Sequence, residues 1–455
     1  MRIPIGLQSR ALVLRRAMRL IKNILLEGTM NRFKRIWFAV TTWSRVVTLV
    51  LLCPLAAAAE EGPLSLDDAV GKALKDAPQV TASAATLEAS VAVAPSAGRL
   101  PDPELVTGVD NLPVTSAERY SLTRDFMTMR KIGVMQTFPS GEKRRLQGER
   151  AERQIAVARG EVRKTRFDTS RAVAEAWIAA AVAEESLARL HSLKPDAQLQ
   201  ASAGRAALAS GRASAAEALS AQSLVAELDE RILALEQERQ MRRAELARWI
   251  SADAERPLAG IPTDRDLSHS PELLLANVPE HPPLAPVLAR LAEAQTEVDL
   301  ARAQKRPDWS AEFDYAQRGP DYSNMVSLEF HIALPLFARN RQNPVIAEKL
   351  ALVRAHEAER DAEVRMHTAE IRTELVQWRR GRERLQNYQA EILPLARDRS
   401  RAAIASYGAG RGDLRLATDS LIQEINTQLE YVQLEGSVAN AWASLYFLHD
   451  SEVSK

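Results

Sequence analysis

From Val326 onward the chain alternates between apolar and polar positions. Val326, Leu328, Phe330, Ile332 and Leu334 fall on one side of an extended segment, and Ser327, Glu329, His331 and Ala333 fall on the other, because side chains in a strand have period two. The spacing predicts a strand with one oily face that ends at Pro335, close to the ~9 to 11 residues of a tilted membrane-crossing strand. Just upstream, Trp309, Ala311, Phe313 and Tyr315 alternate with Ser310, Glu312, Asp314 and Ala316, and 318–324 reads as the turn between two strands. A pair with weaker alternation is expected over 104–111 and 131–138, joined by a longer loop that contains Asn111, Leu112 and Pro113.

Past Pro139 and past Pro335 the period changes to about 3.6 residues and holds as far as Gly211 and Gly410. At ~1.5 Å per residue each stretch predicts on the order of 100 Å of helix, a length no globular core requires. Ala172, Val173 and Ala174 with Ala179, Ala180 and Ala181 would allow close helix contact, and the Arg/Glu run 357–365 would form a solvated face. Pro195 and Pro394 are each expected to kink or restart the rod, because proline removes a helical hydrogen bond and clashes with the preceding turn. At Gly211 and Gly410 the chain should reverse, and a second helix return to Trp249 and to Leu448.

These features come in two copies. Pro101-Asp102 matches Pro307-Asp308, Pro139 matches Pro335, Pro195 matches Pro394, and Gly211 matches Gly410. The repeat predicts segments at 60–250 and 280–448, a Pro-rich linker at 251–279 and a tail at 449–455. Each copy runs helix, strand, strand, helix, helix. In the first copy, Ser65 with Asp68 three residues on reads as a helix start in the manner of a capping box. The fold expected is therefore mainly α with a small β part.

Composition narrows the function. The chain is 46% apolar and 26% charged, and its 60 Lys and Arg against 59 Asp and Glu offer no basic field for nucleic acid. The single cysteine, Cys53, excludes an internal disulfide and a thiolate metal cage within one chain. No catalytic constellation emerges, and no cofactor is implied. The histidines are scattered; His356 and His367 share a helix face, but a solvated or packed pair suits them better than a metal site without nearby ligands. Near the N-terminus the run VVTLVLLCPLAAAA follows Arg32, Lys34, Arg35 and Arg45, which fits an export signal cleaved between Ala59 and Glu60. Residues 1–59 are thus expected to be an extension plus signal, with Met30 as a second candidate start.

Four strands cannot close into a barrel, and open sheet edges are not tolerated in hydrocarbon. The chain must then oligomerise: two copies would give eight strands, filled by side chains, and three would give twelve with an aqueous lumen. Glu312, Asp314, Glu329 and His331 would face that lumen.

The opening LSLDDAVGKALKDAPQV, the doubled unit, the paired FPSG and LPLF junctions, and SYGAGRGDL followed by ATDSLIQE resemble the TolC-like outer membrane factors of tripartite efflux pumps. Within that family LPDPELVTGVDNLP is similar to the branch serving heavy-metal efflux of the cobalt-zinc-cadmium type. The resemblance implies a homotrimer, with a twelve-stranded β-barrel among outer-membrane lipid and a long α-helical barrel through the periplasm. It further implies a periplasmic adaptor protein docked on the helix tips and an inner-membrane proton-driven transporter of the RND type. The tips Gly211-Arg212 and Gly410-Arg411 occupy the adaptor-contact position, although simple turn chemistry accounts for the glycines equally well. Acidic residues six and nine positions after these glycines would line the periplasmic aperture. Here those positions hold Glu217 and Ser220 in one copy and Leu416 and Asp419 in the other, so each repeat supplies one carboxylate, Glu217 or Asp419. Two other readings stay open: the same fold serving drug efflux or protein secretion, and a periplasmic coiled-coil scaffold with no channel.

Overall fold

The computed structural model describes residues 62–448. The expected signal, its cleavage point at Ala59 and Glu60, and the tail 449–455 lie outside the described residues.

Ser65 caps the first helix, α1 (Leu66–Asp76): its hydroxyl accepts from the Asp68 N–H at 3.1 Å and donates to the Asp68 carboxylate at 2.7 Å. After a break at Ala77, α2 (Pro78–Val93) leads up to the strands β1 (Glu104–Asp110) and β2 (Met129–Phe138). Then α3 (Gly141–Ala209) runs down for 69 residues, and α4 (Ala215–Ile250) returns. The second copy begins beyond a short α5 (Pro271–Ala276). It comprises α6 (Ala285–Ala303), β3 (Trp309–Gln317), β4 (Met325–Ile332), α7 (Gln342–Asn387), α8 (Leu393–Gly408) and α9 (Leu414–Tyr446). Mainly α with a small β part is therefore the observed class, in two tandem copies of the expected order. Among the described residues no helix is long and apolar enough to cross a membrane.

The four strands form one antiparallel sheet in the order β1-β2-β3-β4. Glu104 pairs with Met135, Phe138 with Trp309, and Trp309 with Ile332, so the middle seam joins the first copy to the second. Several strand boundaries differ from expectation: β2 begins at Met129, two residues before the expected start, and β4 at Met325, one residue before. β1 ends at Asp110 because Asn111, at φ 55°, already turns the chain, and β4 ends at Ile332 rather than Leu334.

The core lies in the helices. Trp177 and Trp442 are at most 1% exposed, among Val173, Ile178, Leu246, Ile250 and Val438. Close approach relies on small residues: a Cβ on Gly160 of α3 would lie 2.7 Å from the backbone nitrogen of Pro286 in α6. The segment 251–279, read as a linker, is packed: Leu258, Ile261 and Leu267 rest on the main core, and Leu274 and Val278 are buried in a second cluster with Phe167 and Ile371.

The two prolines behave differently, and the expected restart of the rod occurs at only one of them. Pro195 sits inside the uninterrupted α3, where Leu190 and Ala197 on either side are fully buried. Tertiary packing holds the helix through the proline. Pro394 instead follows a π-helical turn, Tyr388–Ile392, whose wider spacing takes up the missing hydrogen bond.

Candidate functional site: the strand wall and the helix tips

The sheet register sorts side chains onto two faces. On one face Leu105 opposes Val134, Val134 opposes Phe313, and Phe313 opposes Leu328, with Phe330 and Ile332 continuing the surface. These side chains are exposed, Leu105 at 69% and Phe330 at 62%. On the other face lie Glu312, Asp314, Glu329 and His331, the four residues expected to face a lumen. His331 Nε2 is 3.4 Å from a Glu312 carboxylate oxygen and 3.9 Å from one of Glu329. Asp314 is only 3% exposed and folds over Gly133, where no Cβ obstructs it. Two members escaped sequence reasoning, Lys131 on β2 and Asp110 on β1: the Lys131 ammonium is 3.7 Å from both Asp110 and Glu312. The cation threads an acidic patch built from three strands. A soluble sheet would show the reverse arrangement, with the apolar face packed and the charged face wet.

At the far end, both tips are built alike. Gly211 and Gly410 have φ near 71° and 72°, with open space where a side chain would go. The Gly211 and Arg212 amides donate to Leu208 and Ala207 carbonyls, and those of Gly410 and Arg411 to Tyr407 and Ser406. Each pair of bonds is a Schellman closure, which favours glycine for its left-handed backbone. Glu217 belongs to a capping box: its carboxylate accepts from the Ser214 N–H at 2.7 Å while the Ser214 hydroxyl accepts from the Glu217 N–H at 3.2 Å. The Ser214 backbone and side-chain hydrogen bonds hold the Glu217 carboxyl below the usual carboxylate range. Asp413, not Asp419, caps α9 by accepting from the Arg415 N–H at 2.8 Å. Asp419 lies one turn further in, exposed and 3.8 Å from the Arg415 guanidinium.

Two buried constellations were invisible in the sequence. His281 Nδ1 and His367 Nε2 approach to 3.1 Å, each residue 4% exposed, where the turn leading into α6 meets α7. Burial lowers the basicity of His367, against the opposing pull of Glu370 at 3.4 Å. His356 pairs with Glu359 instead, so the two histidines of that helix do not act together. Where the sheet joins the helices, the Lys143 ammonium donates to both Asp308 carboxylate oxygens at 2.9 Å and to the Arg306 carbonyl at 2.8 Å, and is 5% exposed. Among the described residues no group of three or more His, Cys, Asp or Glu could hold a metal ion.

An antiparallel sheet with oily and charged faces, set on helices of this length, is the fold of outer-membrane channels. Three solved structures share it. They are the outer-membrane channel OprN (TM-score 0.72, 14% identity, 84% of this chain and 89% of that one), the Campylobacter jejuni outer membrane channel CmeC (0.72, 14%, 85% and 87%) and the Vibrio cholerae outer membrane protein VceC (0.70, 18%, 84% and 95%). Residues 273–449 match the family described as outer membrane efflux protein, whose members, like these channels, are not enzymes. No curated protein matches the chain.

Proposed function

We propose that this chain is the outer-membrane component of a tripartite efflux system, a passive trimeric conduit from periplasm to exterior in a Gram-negative cell. One observation carries the reading: a four-stranded sheet with an exposed apolar face, a charged face opposite it and two unpaired edges. In water such a sheet would aggregate. In lipid the apolar face becomes the outer wall, and joining edges between copies satisfies every backbone group. The helices then extend the lumen into the periplasm, where the glycine tips present Arg212 and Arg411 to an adaptor protein fed by an RND-type inner-membrane transporter. Heavy-metal cations are the cargo favoured by the resemblance of LPDPELVTGVDNLP and by the acidic excess of Glu312, Asp314 and Glu329 on the lumen face.

Fractionation tests the conduit. The protein is expected in the outer membrane as a heat-modifiable trimer that conducts in planar bilayers, and a water-soluble rod overturns the reading in favour of a scaffold. Phe330→Arg should cost about 2 to 4 kcal/mol at mid-membrane and deplete the trimer, while His331→Arg should assemble. Loss of the gene should sensitise cells to cobalt, zinc or cadmium salts; sensitivity to drugs alone would reassign the cargo.

A further inference from the structure

The sheet leaves two edges open, β1 on one side and β4 on the other. In a ring of copies, β4 of one protomer meets β1 of the next. That junction joins a second repeat to a first, as β2–β3 does inside the protomer, so the observed seam is a template for the unobserved one.

The internal repeat supplies the transposition, and the sheet itself checks it. Laying Asp102 on Asp308 and Pro139 on Pro335 carries the pair Glu104–Met135 onto Ser310–His331 and the pair Asp110–Met129 onto Ala316–Met325. All four pairs exist. The same mapping applied to the β2–β3 pairs Gln136–Ala311, Val134–Phe313 and Ile132–Tyr315 yields Ile332–Leu105, Phe330–Thr107 and Leu328–Val109 between protomers. Each such pair joins side chains of the apolar face. The backbone agrees: the Ala333 N–H donates to the Asp308 carbonyl, so odd residues of β4 bond to β3 and the even ones, Leu328, Phe330 and Ile332, keep their amides and carbonyls for the free edge.

The chemistry beneath the strands also transposes. In the protomer, Lys143 holds Asp308, Arg306 holds Glu142, and Phe138 stacks on Trp309 at 4.3 Å. At the corresponding places stand Arg339 with Asp102, Ala338 with Leu100, and Leu334 with Pro103. The first ion pair is kept. In the second, both charges are gone together, and in the third both aromatics become aliphatic together. Such matched change is what contact across a seam requires. Asp102 and Arg339 are exposed, and among the described residues neither has an ion-pair partner within its own protomer.

We propose that adjacent copies join β4 to β1 in this register, clamped below the strands by an ion pair between Arg339 of one protomer and Asp102 of the next. The inference rests on the trimeric barrel above and adds to it a specific seam. Arg339 is the hand that each copy extends to its neighbour, in the position where Lys143 serves the chain's own interior.

Cysteine cross-linking in purified full-length protein in detergent tests the register. Val106 and His331 of neighbouring protomers would face each other as a non-hydrogen-bonded pair, whose Cα atoms lie about 4.5 Å apart, within disulfide reach. Val106→Cys with His331→Cys should give reducible covalent dimers and trimers on oxidation, while Val106→Cys with Glu329→Cys, slipped by two residues, should not. Cross-linking of the slipped pair alone overturns the register. For the clamp, Asp102→Arg and Arg339→Asp should each lose most of the heat-resistant trimer, and the charge-swapped double variant should recover it; a double variant as poor as the singles overturns the ion pair. If the unaltered protein forms no trimer, the channel reading itself has failed, whereas a stable trimer without the Val106–His331 link defeats the seam alone.

Discussion

The two repeats share one plan and use it differently. α3 of the first copy buries 25 of its 69 residues, among them Trp177 and Phe167, whereas α7 of the second buries five of 46. The long helix of the first copy therefore lies at the centre of the protomer and its counterpart α7 at the border, whereas α9 of the second copy, with 20 of its 33 residues buried, joins α3 in the core. Exposed Met366 and Val376 on α7 fit a helix that finishes its packing against a neighbour. The same contrast recurs at the sheet–helix joint. Lys143 is satisfied inside the chain, and Arg339, its counterpart, reaches solvent. A duplicated unit in a closed ring needs this asymmetry, because one junction per protomer must be made with itself and one with another copy.

The largest expected effect comes from breaking the internal joint. Asp308→Ala would leave the Lys143 ammonium buried without its carboxylate and should destabilise the chain by about 3 kcal/mol. Asp102→Ala should leave the stability of the isolated chain unchanged and weaken only the trimer. Urea titrations of denatured-to-monomer and monomer-to-trimer steps separate the two; equal losses in the first step would erase the distinction between centre and border.

The prolines come next. Pro195 remains in a continuous helix against its own geometry, so Pro195→Ala should raise stability by about 1 to 2 kcal/mol, less than the ~3 kcal/mol of an unaccommodated proline. Pro394→Ala should gain less, since the π turn already relieves it. Thermal melts that rank the two in the opposite order would show that the π turn has another origin. At the tips, Ser214→Ala removes a reciprocal cap and should cost about 1 kcal/mol, and Asp413→Ala, with one cap bond, somewhat less.

The entrances to the two copies should differ in their response to pH. The first is zipped by backbone, Leu64 donating to Pro257 at 2.7 Å and Ala259 to Leu64 at 3.0 Å. The second is pinned by His281 against His367, which burial holds below its ordinary 6.5. The groups facing His367 are Glu370 and Glu363 on its own helix and Arg171 on α3. A histidine whose folded value is depressed favours the neutral state: its contribution is complete above the unfolded value and is lost as pH falls below about 6.5. Protection against hydrogen exchange over 271–284, taken relative to the intrinsic exchange rate at each pH, should therefore fall between pH 7 and 5.5, and His367→Gln should flatten that dependence while protection around Leu64 stays constant.

The strands were legible because alternation is local. β3 and β4 show it over their whole length, and β2 shows it poorly because Arg130 and Gln136 interrupt its apolar face. The reversals were legible because Gly211 and Gly410 announce a left-handed backbone. What escaped was non-local or a contest between forces. His281 and His367, and Lys143 and Asp308, lie far apart in the chain, and nothing in either segment names the other. Pro195 misled because intrinsic propensity was overruled by burial on both sides of it. Glu217 shows a third kind of miss: the Ser214-x-x-Glu217 spacing is a helix-start signal, and it was read only for the charge it brings.

The smallest effect on stability concerns the two tip carboxylates, and it sharpens the comparison most. Glu217 of the first copy is spent on a capping box, while Asp419 of the second is exposed with only Arg415 beside it at 3.8 Å. An exposed pair one turn apart is worth about 0.3 to 0.5 kcal/mol, so Asp419→Asn should barely alter folding. In a trimer whose tips converge, three copies of Asp419 within the ~8 to 10 Å Debye length would repel one another, and a multivalent cation would relieve that repulsion. Arg415 blunts the ring. Asp419→Asn should therefore weaken block by multivalent cations in planar bilayers, and Arg415→Gln should strengthen it. Glu217→Gln isolates the charge of the other copy, because glutamine still completes the capping box; added to Asp419→Asn, it should weaken block only slightly further. A double variant that conducts and is blocked like the unaltered channel would move the constriction away from both residues, and block governed by Glu217 rather than Asp419 would make the first copy, not the second, the one that faces the axis.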